Sequence, residues 1–184
     1  MILDAFLMFT GVNPASGIGN ANNTDSPTTG AQASTNVIDL HMAGIPVLSN
    51  LQGARDIGIG DDPAMKILVV VTTTFTVGTN MIVALQGAPD NGAGLAGSFT
   101  TWYSSPTYTE AQLVAGARLM DMDMPRPPAA IGVPRFLRLL WTSTGTHSTG
   151  QVEACLVLDR HDQMYNTTAN SILGGYPPGI VIAN

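Results

Sequence analysis

The sequence predicts an all-β protein, a jelly-roll β-sandwich with extended N- and C-terminal arms and at most one short helix. Short runs of alternating or β-branched apolar residues recur along the chain, which is typical of strands. Segments rich in Gly and Pro separate these runs, with 20 Gly and 12 Pro among 184 residues. Only one segment has helical character. Together these features favour two packed sheets over any helical fold.

The first 33 residues are predicted to lie outside the sandwich. Residues 1–9 (MILDAFLMF) are apolar, but they carry Asp4 and lack a basic start, so they do not resemble a signal peptide. They are interpreted as an arm that docks on another surface. Residues 11–33 are rich in Gly, Asn, Ser, Thr and Pro and are interpreted as an irregular loop.

Strand patterns begin at residue 34 and continue to about residue 163, the predicted sandwich domain. The strongest is 66–77 (KILVVVTTTFTV), and a short hairpin-like loop separates it from 81–86. Further strands are predicted at 34–40, 98–103, 117–124, 135–142 and 151–159. The predicted core consists of Val69, Val71, Phe75, Val83, Leu137, Leu139, Leu156 and Leu158.

Three other segments shape the predicted architecture. Residues 109–116 could form about two turns of helix. The long connection 41–64 suits a crossing between two sheets. Residues 164–184 are interpreted as a C-terminal arm. The runs LVVV and FLRLLW are apolar on both strand faces, so the outer face of one sheet is expected to be covered by an arm or another subunit.

The low charge content favours protein partners. Only 11% of residues are charged, against about 25% in average domains, and the net charge is −6 with a single lysine, Lys66. No basic run is present, so nucleic acid is not an expected partner. No apolar run approaches about 18 residues, so no membrane span is expected. A surface of Thr, Ser, Asn, Gln and Gly is inexpensive to desolvate in a protein contact.

The sequence contains no strong catalytic or metal-binding motif, so we expect no enzyme activity, metal or cofactor. An acidic cluster could hold Ca²⁺, but its spacing is not that of an EF-hand loop and an Asp-rich turn explains it better. Its members are Asp56, Asp61 and Asp62. No pair of histidines has a metal-ligand spacing; they are His41, His147 and His161. Cys155, the single cysteine, is interpreted as a small buried apolar residue.

The candidate contact residues are therefore those suited to binding protein surfaces. Two arginines flank a Pro-rich segment, where a guanidinium group could donate forked hydrogen bonds to a partner. The apolar ends are too short to form a core of their own. The set is Met1, Ile2, Leu3, Phe6, Phe9, Arg126, Arg135, Ile180, Val181 and Ile182.

Several segments resemble the jelly-roll capsid cement (decoration) proteins of short-tailed bacteriophages. They are ARDIGIGDDPAMKILVVV, ALQGAPDNG, SPTYTEAQLVAGARLMDMDMPRPP, PRFLRLLW and VLDRHD, in the same order and with compatible spacing over residues 34–163. Loop 11–33 is longer than is usual for that family. The resemblance implies a virion protein on the outer capsid surface, made in the host bacterial cytoplasm. It implies contact with the major capsid protein, self-association as a homodimer, and no catalytic residue or cofactor.

A second function from a different class stays open. A jelly roll that carries Trp102, Tyr103 and Tyr108 near its loops could be a carbohydrate- or receptor-binding module of a phage tail or fibre. Aromatic rings forming a platform in an open groove would favour that function. Aromatic rings packed into the domain would favour a cement protein.

Overall fold

A computed structural model describes residues 7–11, 18–19, 23–42, 55–56, 65–126 and 134–158 of the chain. Strands account for 57% of the structure and helix for 4%, and two antiparallel sheets pack as a β-sandwich. The predicted fold class is therefore confirmed. The alternation of apolar side chains explains it, because each sheet must bury one face against the other.

The described strands follow one another with a single short helical turn between them. Residues Glu110–Gln112 form a 3-10 helix. The strands are β1 (Gly30–Ala33), β2 (Ile38–Asp39), β3 (His41–Met42), β4 (Arg55–Asp56), β5 (Met65–Thr76), β6 (Asn80–Ala88), β7 (Thr100–Ser104), β8 (Tyr108–Thr109), β9 (Arg118–Asp123), β10 (Phe136–Thr144) and β11 (Thr149–Leu158).

The strand order is that of a jelly roll. The first sheet has the order β11-β5-β9, and the second has the order β1-β10-β6-β7, with β2 on β10 and β8 on β6. The chain changes sheet between β2 and β5, between β5 and β6, between β8 and β9, between β9 and β10, and between β10 and β11. Repeated crossing of this kind is typical of a jelly roll, in which antiparallel strand pairs wrap around one core. The predicted crossing within residues 41–64 is thus confirmed.

One apolar core fills the space between the two sheets. Alternate residues of each long strand point inward, so Val69 and Val71 of β5 meet Leu137 and Leu139 of β10. Phe75, Val83 and Leu156 are also fully buried in this cluster. Seven predicted core residues are therefore confirmed, and the side chain of Leu158 lies outside the described part.

Two corners that join the sheets pack closely against each other. The backbone N–H of Thr79 donates to the carbonyl oxygen of Thr144 at 2.9 Å. The ring of His147 lies directly against Gly78, where a Cβ atom would be only 1.9 Å from the ring. Only glycine fits there. The preceding Val77 has φ of +73°, a strained value for a β-branched residue.

The prediction that residues 1–33 lie outside the sandwich is wrong for the described part of that range. Met8 and Asp25 form antiparallel bridges with β11, and β1 itself is the Gly30–Ala33 strand. The backbone N–H of Phe9 donates to the carbonyl of Ala154 at 2.9 Å. Backbone pairing requires no apolar alternation, so a Gly- and Asn-rich segment can complete a sheet edge without a strand pattern.

The helical turn is shorter than predicted, and it begins with a motif that the sequence analysis missed. Thr109 and Gln112 form a capping box, in which the backbone N–H of Thr109 donates to the Gln112 side-chain oxygen at 2.9 Å. Gln serves as well as Glu at the third position of this motif. Gly116 then directs the chain into β9 with φ of +88°.

Candidate protein-contact site

Part of the outer face of the second sheet carries uncharged side chains. In β10, Leu137, Leu139 and Trp141 point into the core, so Leu140 and Thr142 point outward. Leu140 lies opposite Ala84 of β6 and Ala33 of β1, and Thr142 lies opposite Ile82. We call these five outward residues the neutral face: Ala33, Ile82, Ala84, Leu140 and Thr142.

A single charged residue, Arg138, lies on the four strands β1, β6, β7 and β10. Its guanidinium group lies 3.9 Å from the centre of the Phe99 ring and donates to the side chain of Gln86 at 2.8 Å. Burial lowers the pKa of Arg138. Because this charge is stacked and hydrogen-bonded within the chain, the neutral face can be desolvated without exposing an unpaired charge.

The outer face of the first sheet is different, because it carries bulky apolar side chains that are buried. We call this set the outer cluster: Met8, Leu68, Val70, Cys155 and Val157. Their exposed fractions range from 1% to 7%, although they point away from the sandwich core. The expectation that the outer face of one sheet is covered is therefore confirmed.

Charged side chains surround the outer cluster rather than entering it. Lys66 pairs with Asp123 at 2.9 Å, and Arg118 pairs with Asp121 at 2.8 Å. Glu153, beside Val70 in the sheet, has its pKa raised by burial. Asp121 and Asp123 are both exposed to solvent, and these ion pairs join them to cations of β9 and β5.

Arg135 was predicted to contact a partner, and the structure places its hydrogen bonds within its own chain. Its guanidinium group donates two bonds of 2.9 Å to Asp39 and a third bond to Asp90. These bonds raise the pKa of Arg135. Asp90 in turn accepts the backbone N–H groups of Gly92 and Gly94, so Arg135 clamps β2 to the loop after β6. The forked hydrogen bonds of Arg135 are therefore made within its own chain, and its contact with a partner stays a prediction.

The other predicted contact residues have mixed outcomes. The side chain of Phe9 is fully buried in the core of its own chain and is not accessible to a partner in this structure. Arg126 is exposed just beyond β9 and stays a candidate. The remaining candidates, Met1, Ile2, Leu3, Phe6, Ile180, Val181 and Ile182, lie outside the described residues.

Asp25 is a structurally central residue that the sequence analysis missed. Its backbone exchanges two hydrogen bonds of 2.9 Å with Val152 of the first sheet. Its carboxylate accepts bonds from Trp141 Nε1 of the second sheet at 3.2 Å and from Thr35 Oγ1 at 2.6 Å. Burial raises the pKa of Asp25, although these bonds oppose the shift. No local pattern marks this residue, because its partners are distant in sequence.

Metal-ligating side chains do not cluster within the described residues. Within these ranges, no group of three or more His, Cys, Asp or Glu side chains is placed to hold a metal ion. His147 is buried edge-on against Phe75, with ring centres 5.1 Å apart. The side chains of Asp56, Asp61, Asp62, His41 and His161 lie outside the described part. None of the described helical structure is long and apolar enough to cross a membrane.

The three aromatic residues of the alternative function pack against the domain. Trp102, Tyr103 and Tyr108 are half-buried against the main core cluster. The Trp102 ring lies so close to Gly87 that a Cβ atom there would be 2.3 Å from it. The hydroxyl of Tyr108 donates to the Leu119 carbonyl at 2.5 Å, and burial raises the pKa of Tyr108. All three rings are therefore packed in part against the domain, as expected for a cement protein.

Comparison with known proteins gives one match. A protein-family model described as Bbp16 matches residues 24–156, most of the chain and nearly all of the sandwich. A search of the curated proteins finds no match.

Proposed function

The chain belongs to the Bbp16 family, whose name associates it with bacteriophages, and from this we propose that it is a structural virion protein. It binds the outer surface of the phage capsid and stabilises the shell by cementing subunits of the major capsid protein. The observation that carries this proposal is the neutral face, an uncharged area across β1, β10 and β6 beside one internally bonded charge, Arg138.

The neutral face suits attachment to a protein shell. No carboxylate or ammonium group on it has to be desolvated, and its alanines lose no side-chain conformational entropy on binding. The three strands that carry it, about 4.8 Å apart, form a contact area of only a few hundred Å², which is a weak interface by itself. Self-association as a homodimer would give two-point attachment and raise the effective concentration on the shell.

Copy number tests the proposed function directly. Quantitative mass spectrometry of purified virions should find this chain at a copy number comparable with that of the major capsid protein. A few copies per virion, together with binding on a glycan array, would instead support the receptor-binding alternative.

A capsid-binding assay tests the neutral face. Leu140→Lys places a charge at its centre and should reduce occupancy on purified shells by about tenfold or more, because the charge is desolvated without a partner. Val114→Lys is the matched control, since Val114 is an exposed apolar residue away from this face. Equal binding by both variants and the unmodified chain would exclude the neutral face as the contact. Binding by the unmodified chain should depend only weakly on salt.

A deletion can test whether the N-terminal arm contacts the shell, but it must be shorter than residues 1–9. Removing 1–9 would delete Phe9 from the core together with its backbone bonds to Ala154 and Asn36. Deleting residues 1–6 leaves those contacts intact. The shortened chain should fold normally and show lower occupancy on shells. Unchanged occupancy even at high dilution would contradict the arm contact.

A further inference from the structure

Val77 opens the corner between β5 and β6 in a backbone conformation that valine rarely adopts. Its φ is +73°, in the left-handed region, where a β-branched side chain crowds the backbone. Among the described residues, the other non-glycine residue with positive φ is Asn23, and asparagine tolerates this region. Glycine or asparagine at position 77 would therefore lower the conformational energy of the corner.

The side chain of Val77 gives the fold nothing in return for this strain. It is 74% exposed and belongs to neither buried cluster. A single exposed valine is ordinary, because apolar atoms make up much of any protein surface. A valine that is both strained and exposed is different. Backbone strain of this kind is typical of sites that bind a ligand or a partner, because there the strained residue serves the complex rather than the fold.

The neighbouring residues hold the corner in one conformation. The carboxylate of Glu110 accepts the backbone N–H of Val77 at 3.1 Å, and the backbone N–H of Glu110 donates to the carbonyl oxygen of Thr79 at 3.1 Å. Between these two bonds, Gly78 lies against the ring of the buried His147. The Val77 side chain is thus presented to solvent by a corner that a partner would not have to order on binding.

The two chain segments that meet at this corner are uncharged, and they lead into the neutral face. Residues 67–89 and 139–152 contain no Asp, Glu, Lys or Arg. From the corner, β6 continues to Ile82, a member of the neutral face that lies opposite Thr142 of β10. A partner that covers the neutral face can therefore extend to Val77 without desolvating a charge of either segment.

We propose that Val77 is an apolar anchor that docks into an apolar pocket of the major capsid protein, at the border of the contact made by the neutral face. This inference rests on the proposed function and names a residue that determines its affinity. The neutral face is a weak interface by itself, and a rigidly held side chain that is buried only in the complex strengthens it. The strained valine then lowers the stability of the free chain and raises its affinity for the shell, a known kind of compromise between stability and function.

Asparagine at position 77 separates these two effects. Val77→Asn relieves the backbone strain and removes the apolar side chain, so the melting temperature should rise slightly while the affinity for purified shells falls by about tenfold or more. Val77→Ile keeps an apolar β-branched side chain and should bind far more tightly than Val77→Asn. Val114→Asn is the matched control, because Val114 is an exposed valine on the segment bonded to β5. It should bind shells like the unmodified chain.

Each other result contradicts the inference in a different way. Equal shell affinity of Val77→Asn and the unmodified chain would overturn the anchor and leave the proposed function intact. Failure of the unmodified chain to bind shells would overturn both. A lower melting temperature of Val77→Asn would mean that the side chain serves the fold. Analytical ultracentrifugation tests a different partner: loss of self-association in Val77→Asn, with full affinity for shells, would overturn the inference and assign Val77 to a contact between copies of this chain.

Discussion

The two outer faces of this sandwich differ although both sheets bury similar inner faces. The outer face of the β11-β5-β9 sheet carries Leu68, Val70 and Val157, all buried. The outer face of the β1-β10-β6-β7 sheet carries alanines and the half-buried Leu140. The first face is therefore as fully buried as the core, whereas the second is partly accessible to solvent. The fold therefore does not determine whether an outer face is buried or exposed. The side chains on that face do.

The largest effect is expected in the core that both sheets share. Leu156→Ala in β11 should lower the free energy of unfolding by about 2–5 kcal/mol, because it leaves a cavity. Leu139→Ala in β10 is the matched change on the facing sheet, and it should cost a similar amount because both side chains belong to one cluster. Denaturant unfolding measures both changes. A cost near zero at either position would mean that the inner face of that strand is assigned incorrectly.

The contrast between the outer faces predicts unequal costs for the same substitution. Leu68→Ala should cost about 2–3 kcal/mol, because the side chain is removed from a buried cluster. Leu140→Ala should cost less than about 1 kcal/mol, because Leu140 is already partly in water. Equal values from denaturant unfolding would remove the distinction between a covered and an uncovered face.

Asp25 links the edge of the first sheet to Trp141 of the second. The stability that this residue contributes should depend on pH. Asp25→Asn should cost about 1–2 kcal/mol, because an amide cannot accept all the bonds made by the carboxylate. Burial raises the pKa of Asp25 above 3.8, so the folded protein binds its proton more tightly than the unfolded chain. Its contribution to stability is fully present below pH 3.8 and falls as pH rises through the raised pKa.

Unfolding free energies of the unmodified chain and of Asp25→Asn, measured as a function of pH, test this sign. The free energy of unfolding of the unmodified chain should exceed that of Asp25→Asn by the largest amount at low pH, and the difference should decrease as the pH rises. Glu153 shifts in the same direction and is present in both proteins, so its contribution cancels in the difference. An advantage that grows with pH would mean that the hydrogen bonds outweigh burial.

The corner between β5 and β6 joins the two sheets and should tolerate a stabilising change. Val77 is 74% exposed and has φ of +73°. Val77→Gly relieves a strain of about 1–2 kcal/mol but adds about 0.5–1 kcal/mol of chain entropy. The melting temperature should therefore rise slightly. A clear decrease would mean that the Val77 side chain itself contributes to the corner.

Metal removal should have the smallest effect. We expect EDTA to leave the thermal midpoint unchanged, because the spacing of these aspartates in the sequence is not that of an EF-hand loop and an Asp-rich turn needs no cation. A marked decrease with EDTA, reversed by Ca²⁺, would identify Asp56, Asp61 and Asp62 as ligands and would add a metal-dependent element to the connection between the sheets.

Local patterns in the sequence were sufficient for the long strands and for most of the core. The predicted strands 66–77 and 135–142 correspond to β5 and β10, and the inward residues of both are correct. Polar residues at alternate positions, such as Thr74 and Thr76 in β5 and Arg138 and Thr142 in β10, indicate the outward face of each strand. The same patterns indicated two-sided apolar strands, but they did not distinguish the covered face of β5 from the half-exposed face of β10.

The sequence by itself thus determined the fold class, the long strands and the absence of charge from potential contact surfaces. Only the tertiary structure decided that Phe9 belongs to the core, that Arg135 binds Asp39 and Asp90, and that Asp25 joins the two sheets. The physical reason is sequence distance. Thr10 and Ala154 are hydrogen-bonded across 144 positions, and such a pair leaves no periodic signal in either segment. The face that a strand buries can be predicted from its local sequence. Pairing at sheet edges and hydrogen bonds between distant side chains form only when the two sheets pack around their core.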